Sequence, residues 1–160
     1  MKIFSNELLD ALRAKAAASE RKRAHLTLHR GPEDPVQRFF VTAMAGSYFR
    51  PHRHTAKSEL AIVLRGALDV LTFDDAGTIT DRFAIGAGTA NTGFETPQGT
   101  WHTLVVRGAD ATFIEVKQGP YDPKTAAEFA PWAPAEGAPE AAEFLHRLVQ
   151  AHSGALIASA

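Results

Sequence analysis

A row of short apolar runs broken by turn residues occupies the chain from residue 36 to residue 116, and it limits the fold more than any other feature. Residues 36–44, rich in Phe and Val, read as a strand. Residues 60–64 and 67–73 form two apolar runs separated by Gly66, and Asp74-Asp75-Ala76-Gly77 supplies a turn. Ile79, Phe83 and Ile85 follow at even spacing, then a loop marked by Gly86, Gly88, Asn91 and Gly93. Runs at 101–106 and 111–116 complete the series. Alternation and β-branched or aromatic content at this length are strand signals. Many short strands joined by Gly-rich turns predict an all-β sandwich or closed barrel, because closure removes exposed sheet edges. The apolar residues of these runs are read as core. Neither a Gly-rich phosphate loop between strand and helix nor a nucleophile-elbow pattern occurs.

The flanks are different. Residues 5–19 predict a helix, with Ser5 or Asn6 as cap and Leu8, Leu9 and Leu12 as its apolar stripe. Arg21-Lys22-Arg23 reads as a solvated basic turn, and Gly31-Pro32 and Asp34-Pro35 punctuate a loop. After Gly119-Pro120, prolines among alanines predict an irregular arm wrapping the barrel, then an amphipathic helix over 141–149. Residues 153–160 are expected to fray. The organisation is one domain: a helix and basic turn at 1–24, a barrel at 25–120, and an arm with a terminal helix at 121–160.

At 160 residues, 45% hydrophobic and 22% charged, the chain suits one globular domain. Its net charge of −1 leaves no positive excess to displace counterions from nucleic acid, and none to hold an anionic membrane. No apolar run reaches the ~18 residues of a membrane span. Residues 14–18 faintly resemble a signal-cleavage site, but Glu7, Asp10 and Arg13 interrupt the required apolar segment. The expectation is a cytoplasmic protein. The absence of cysteine excludes disulfides, thiolate metal sites and cysteine nucleophiles.

Chemistry concentrates between Gly46 and Gly66. His52 and His54, two apart, face the same side of an extended strand. Glu59 can return on the neighbouring strand, and His102 opens the apolar run at 101–106. Three imidazoles and a carboxylate suit one divalent transition metal, whether zinc, iron, manganese or nickel, and leave positions open on an octahedral ion. An all-protein tetrahedral shell would make the metal purely structural. His25, His29, His146 and His152 lack such company and read as ordinary surface or core residues. Tyr48 and Arg50 share strand parity with the histidines. If the strand is regular there, Tyr48 can donate a proton and Arg50 can hold a carboxylate or phosphate. If Pro51 twists the strand, Arg50 turns to solvent. One of Gln37 and Arg38 faces inward. Trp101 and Trp132 read as packing residues, with Trp132 a weaker choice for a cover over the barrel mouth. Imidazole ligation predicts loss of metal as pH falls through the imidazole range.

The spacing Gly46-x5-His52-x-His54-x4-Glu59-x6-Gly66 resembles the first cupin motif, and Pro97-x-Gly99-x2-His102 the second. Asn91 stands at the second motif's opening glycine and Val106 at its final asparagine. Val106 shares a strand face with His102 and Leu104, so it leaves an apolar wall and the ligand set intact. Longer strings are similar to the WbuC family of cupin-fold metalloproteins: Asp34-Pro35-Val36-Gln37-Arg38, Arg50-Pro51-His52-Arg53-His54, Gly99-Thr100-Trp101-His102-Thr103-Leu104, Gly119-Pro120-Tyr121 and Phe129-Ala130-Pro131-Trp132-Ala133-Pro134. The resemblance implies a cupin (jelly-roll) barrel, a metal on His52, His54, Glu59 and His102, and association into a homodimer. It also implies a setting in bacterial surface-polysaccharide or carbohydrate metabolism.

Two classes of function follow. The first is an enzyme acting on a small sugar or hydroxy acid. A Lewis-acidic ion would stabilise an enediolate during isomerisation or epimerisation, or iron would support a dioxygenase. The second is a non-catalytic protein that holds a small acid or sugar on the metal. A metal-free epimerase with a histidine base uses the same fold but does not need four clustered ligands.

Overall fold

The computed structural model describes residues 1–158. Its elements are α1 (Asn6–Ala18), β1 (Arg23–Thr27), β2 (Val36–Met44), β3 (His52–Arg53), β4 (Glu59–Phe73), β5 (Ile79–Gly86), β6 (Gly93–Thr96), β7 (Trp101–Gln118), β8 (Glu128–Phe129) and α2 (Ala141–Gln150). The strands pair antiparallel in one eight-stranded sheet. Two long strands organise it. β7 pairs with β2, β3 and β4, while β4 pairs with β5, β6 and β7, so the sheet coils into a jelly-roll barrel.

Each long strand covers two of the apolar runs expected as separate strands. The breaks survive as register shifts in β4, one between Val63 and Arg65 and one between Gly66 and Ala67. Gly66 has φ +67°, and a Cβ there would clash with the Asp110 carbonyl oxygen. Only glycine lets the two strands approach this closely while β4 bends. The chain thus curves from one side of the barrel to the other without leaving the ladder. β1, β6 and β8 lie in stretches whose sequence reads as turn, loop and irregular arm.

Alternation sorts the side chains into two apolar bodies. Inside the barrel lie Val41, Ala61, Val63, Leu68, Val70, Leu104 and Phe113, with Val106 packed against them. On the outer face, Leu71, Phe73, Ile79, Trp101 and Val105 meet the arm and Phe144 and Leu148 of α2. Burying a side chain such as Phe144 contributes about 1.5–3 kcal/mol. The helix α1, capped by Ser5 accepting from the Leu8 N–H, packs Leu9 and Leu12 on Phe40 of β2.

The C-terminal segment corrects one expectation. Residues 153–158 do not fray: Ile157 is buried among the outer cluster, Leu156 bridges Thr78, and the Ile157 N–H donates to the Gly77 carbonyl. Apolar fill and an open edge at Thr78 hold the tail down. Ser159 and Ala160 lie outside the described residues. Among the described residues no helix is long and apolar enough to cross a membrane.

Candidate metal centre

Strand pairing assembles the site. His52 of β3 stands directly opposite His102 of β7, and His54 follows just beyond β3. The three rings lie 4.4–5.8 Å apart, centroid to centroid, and one nitrogen from each gathers within 4.8 Å of the others. Glu59 opens β4 opposite Lys117 of β7 and is buried with them. Its Oε2 lies 3.0 Å from His54 Nε2, and its Oε1 4.0 Å from His102 Nε2.

The backbone fixes the tautomer of all three rings. His52 Nδ1 contacts the Arg50 carbonyl at 2.9 Å, His54 Nδ1 the Ala126 carbonyl at 2.6 Å, and His102 Nδ1 the Thr100 carbonyl at 2.9 Å. A carbonyl only accepts, so each Nδ1 carries a proton, and the neutral rings of His52 and His102 present an Nε2 lone pair. This carbonyl support is the usual way a ligating imidazole is oriented. The buried His102 Nε2 has no hydrogen-bond partner. His54 Nε2 and Glu59 Oε2 lie 3.0 Å apart, two ligand atoms that a cation between or beside them would share. The donor set therefore fits a divalent transition ion.

The electrostatics agree with this reading. Burial, reinforced by the neighbouring His102, pushes His52 down to about 3, and burial lowers His102 as well. Both rings are neutral and ready to ligate at ordinary pH. Burial alone would raise Glu59, but the hydrogen bond with His54 and the charge of Lys117 hold it well below the usual carboxylate range. Lys117 Nζ donates to Glu59 Oε2 at 3.1 Å and to Glu115 Oε1 at 2.6 Å. Burial and the charge of Glu59 push Glu115 up.

The cavity beside the cluster measures about 210 Å³, and its wall includes Arg23, His25, Arg50, Glu115, Lys117 and Phe129. A hollow of about 430 Å³, bordered by His29, Phe39 and Tyr121, shares His25, Glu115 and Lys117 with it as a common wall. The arm covers one side. β8 pairs with β3, Arg53 grips the Glu128 carboxylate with Nε and Nη2 at 2.9 Å each, and Phe129 sits 6.1 Å from the His52 ring. The cover is thus Phe129, while Trp132 packs against Phe73, Trp101 and Phe144.

The proposed proton donor Tyr48 is not in the cavity. Its hydroxyl donates to the Pro134 carbonyl at 2.9 Å, its ring packs on Phe144, and burial raises its pKa. The parity argument failed there because Gly46 adopts φ +81° and residues 47–51 are not strand. Arg50, from the same stretch, does border the cavity. Gln37 is the inward one of its pair, but its amide is spent on the Asp34 and Pro32 carbonyls.

Sequence reasoning missed Arg23, His25, Glu115 and Lys117. The available signal was charge at positions 115 and 117, which continue the inward parity of Ala111 and Phe113.

Comparison with known proteins agrees with the fold. The family model described as "Domain of unknown function (DUF6016)" matches residues 4–85. No curated protein matches the chain. Among solved structures, an oxalate oxidase in complex with the substrate analogue glycolate superposes with TM-score 0.55 at 20% identity, over 72% of this chain and 58% of that one. The capsular polysaccharide assembling protein CapF from Staphylococcus aureus gives TM-score 0.58 at 18% identity, over 69% and 32%. The cupin domain of Schizosaccharomyces pombe Cnp3 gives 0.50 at 13%, over 61% of each chain. This chain therefore spans less than two thirds of those proteins. The fold is a cupin jelly roll, and its three-histidine cluster can hold a metal ion.

Proposed function

Since the chain belongs to the family described as a domain of unknown function (DUF6016), we propose its function from its own site: a metal-dependent cupin that acts on a small sugar or hydroxy acid. The observation that carries this reading is the set of imidazoles pinned through Nδ1 to carbonyls, with His102 Nε2 buried and unpartnered. His52, His54 and His102 would hold one divalent ion, with Glu59 as the fourth ligand. Such an ion supplies Lewis acidity toward a carbonyl or hydroxyl oxygen.

The chain's own groups do the rest. Lys117 fixes the Glu59 carboxylate, and Arg50 offers charge to the ligand. Glu115, which lines the cavity and is more easily kept protonated than an ordinary carboxyl, would carry a proton to or from the ligand. Phe129 and the arm limit water. The similarity to the WbuC family and to CapF supports a setting in surface-polysaccharide or carbohydrate metabolism, and the cupin resemblance supports a homodimer.

The location of Tyr48 favours one second reading, a non-catalytic protein that binds the same ligands, because the expected proton donor is engaged elsewhere. The test incubates metal-loaded protein with small hydroxy acids and sugars in D2O and follows deuterium entry beside the carbonyl by NMR. Oxygen uptake is followed for the iron form. Metal-dependent exchange or uptake, lost in His54→Ala, supports the enzyme. Affinity without either supports the binding protein, and neither affinity nor turnover contradicts both.

A further inference from the structure

Two arginines in the cavity wall keep an N–H that the fold does not use. Arg23 is 8% exposed, donates Nη1 to the Tyr48 carbonyl at 2.7 Å and Nη2 to Glu136, and lies 4.3 Å over the Phe49 ring. Arg50 donates Nη2 to the Ala130 carbonyl at 3.0 Å and lies 5.2 Å over the Phe129 ring. The Nε of each is buried without a partner. A buried donor without an acceptor is destabilising, most of all on a charged group, so an acceptor is expected where both guanidiniums reach a cavity. Both border the 210 Å³ space beside His52, His54 and His102.

The charge balance points the same way. Glu59 and Glu115 are answered by Lys117, and Glu136 by Arg21 and Arg23. Arg50 is bonded to a carbonyl and not to a carboxylate. A bound divalent ion would add further positive charge.

We propose that the cavity takes a small ligand bearing a carboxylate, with the Nε–H groups of Arg50 and Arg23 donating to its oxygens and Arg23 acting as a specificity-determining residue. This inference deepens the metal-centre reading and rests on it for the other end of the ligand. Two single donors match the two oxygens of a carboxylate better than the three of a phosphate. A cavity of 210 Å³ lies below the roughly 300–1,000 Å³ of drug-sized sites, which limits the ligand to a small acid.

The test titrates metal-loaded protein calorimetrically with glycolate, with ethylene glycol as its neutral counterpart, and with inorganic phosphate. Wild type, Arg50→Gln, Arg23→Gln and Arg23→Lys are compared, with the metal content of each measured alongside. The expected result is glycolate binding at least about tenfold tighter than the diol or phosphate, weakened about tenfold or more in each variant at unchanged metal content. Arg23→Lys keeps the charge beside Glu136 while removing the Nε–H, so it decides the matter if Arg23→Gln does not fold. The inference is overturned if wild type does not bind glycolate, if the diol or phosphate binds equally well, or if Arg50→Gln and Arg23→Lys bind glycolate as wild type does. Should wild type carry no metal, the metal reading fails. The same titrations on metal-free protein then decide the carboxylate site alone, since arginine-dependent glycolate binding supports it and its absence overturns it.

Discussion

Two carboxylates are buried in this barrel on the same long strand, and they serve opposite ends. Asp69 is 3% exposed and surrounded by guanidinium: Arg82 donates to Oδ2 from Nε and Nη2, and Arg107 donates to Oδ1 at 3.1 Å. Arg82 continues to the Leu148 and Ala151 carbonyls and so ties β5 to the end of α2. Each group in this cluster has a partner of opposite character. Glu59, 5% exposed, has one cation, Lys117, and otherwise faces the Nε2 atoms of His54 and His102. Equal burial therefore does not mark a site. What distinguishes Glu59 is the nature of its neighbours, including a buried nitrogen with nothing to bond.

The sharpest way to break the comparison is Asp69→Ala. Removing one partner of a buried ion pair costs about 3–5 kcal/mol, and the half-exposed Arg107 reduces that to about 2–4 kcal/mol here. Denaturant titration should show this loss, while metal content of the folded protein stays at the wild-type level. A fall in metal content would mean that the two regions are not separate. Glu59→Gln should behave in the opposite way. It preserves shape and removes charge, so metal affinity should drop by more than the roughly 10- to 100-fold that loss of an outer-shell partner costs, in a competition with a chromophoric chelator. The metal-free protein should lose less stability than Asp69→Ala does.

Between pH 6.5 and about 4 the response to pH comes from the imidazole side. His52 is pushed down to about 3 and His25 to about 4, both mainly by burial, from an ordinary value of 6.5. The unfolded chain then binds more protons than the folded one between those values. Stability is full above pH 6.5 and is lost as pH falls through the window from 6.5 toward 3–4. For the same reason metal should be retained below the ordinary imidazole range, a lower limit than the ligand type alone predicts. Melting of metal-free protein across pH 3–8 checks the first statement. Metal release on acidification checks the second, and half-release at pH 6.5 would contradict it.

Much of the site was legible because its spacing is local. Two-residue parity puts His52 and His54 together, and a turn after His54 brings Glu59 back, its Oε2 3.0 Å from His54 Nε2. Helix α1 was legible from Ser5 and its leucines. Arg23, Glu115 and Lys117 were not, because their neighbours come from the pairing of β1 with β2 and of β4 with β7, as Glu59 with Lys117 shows. A basic triplet reads as solvated until the arm supplies Glu136. Tyr48 was misplaced because a strand rule was carried into a segment that turns at Gly46.

Elemental analysis of the purified protein, with the His52→Ala/His54→Ala variant alongside, tests the central claim most directly. Near-stoichiometric divalent metal in the parent and none in the variant is the predicted result. A parent that holds no metal even after reconstitution, or a variant that holds as much as the parent, would contradict it.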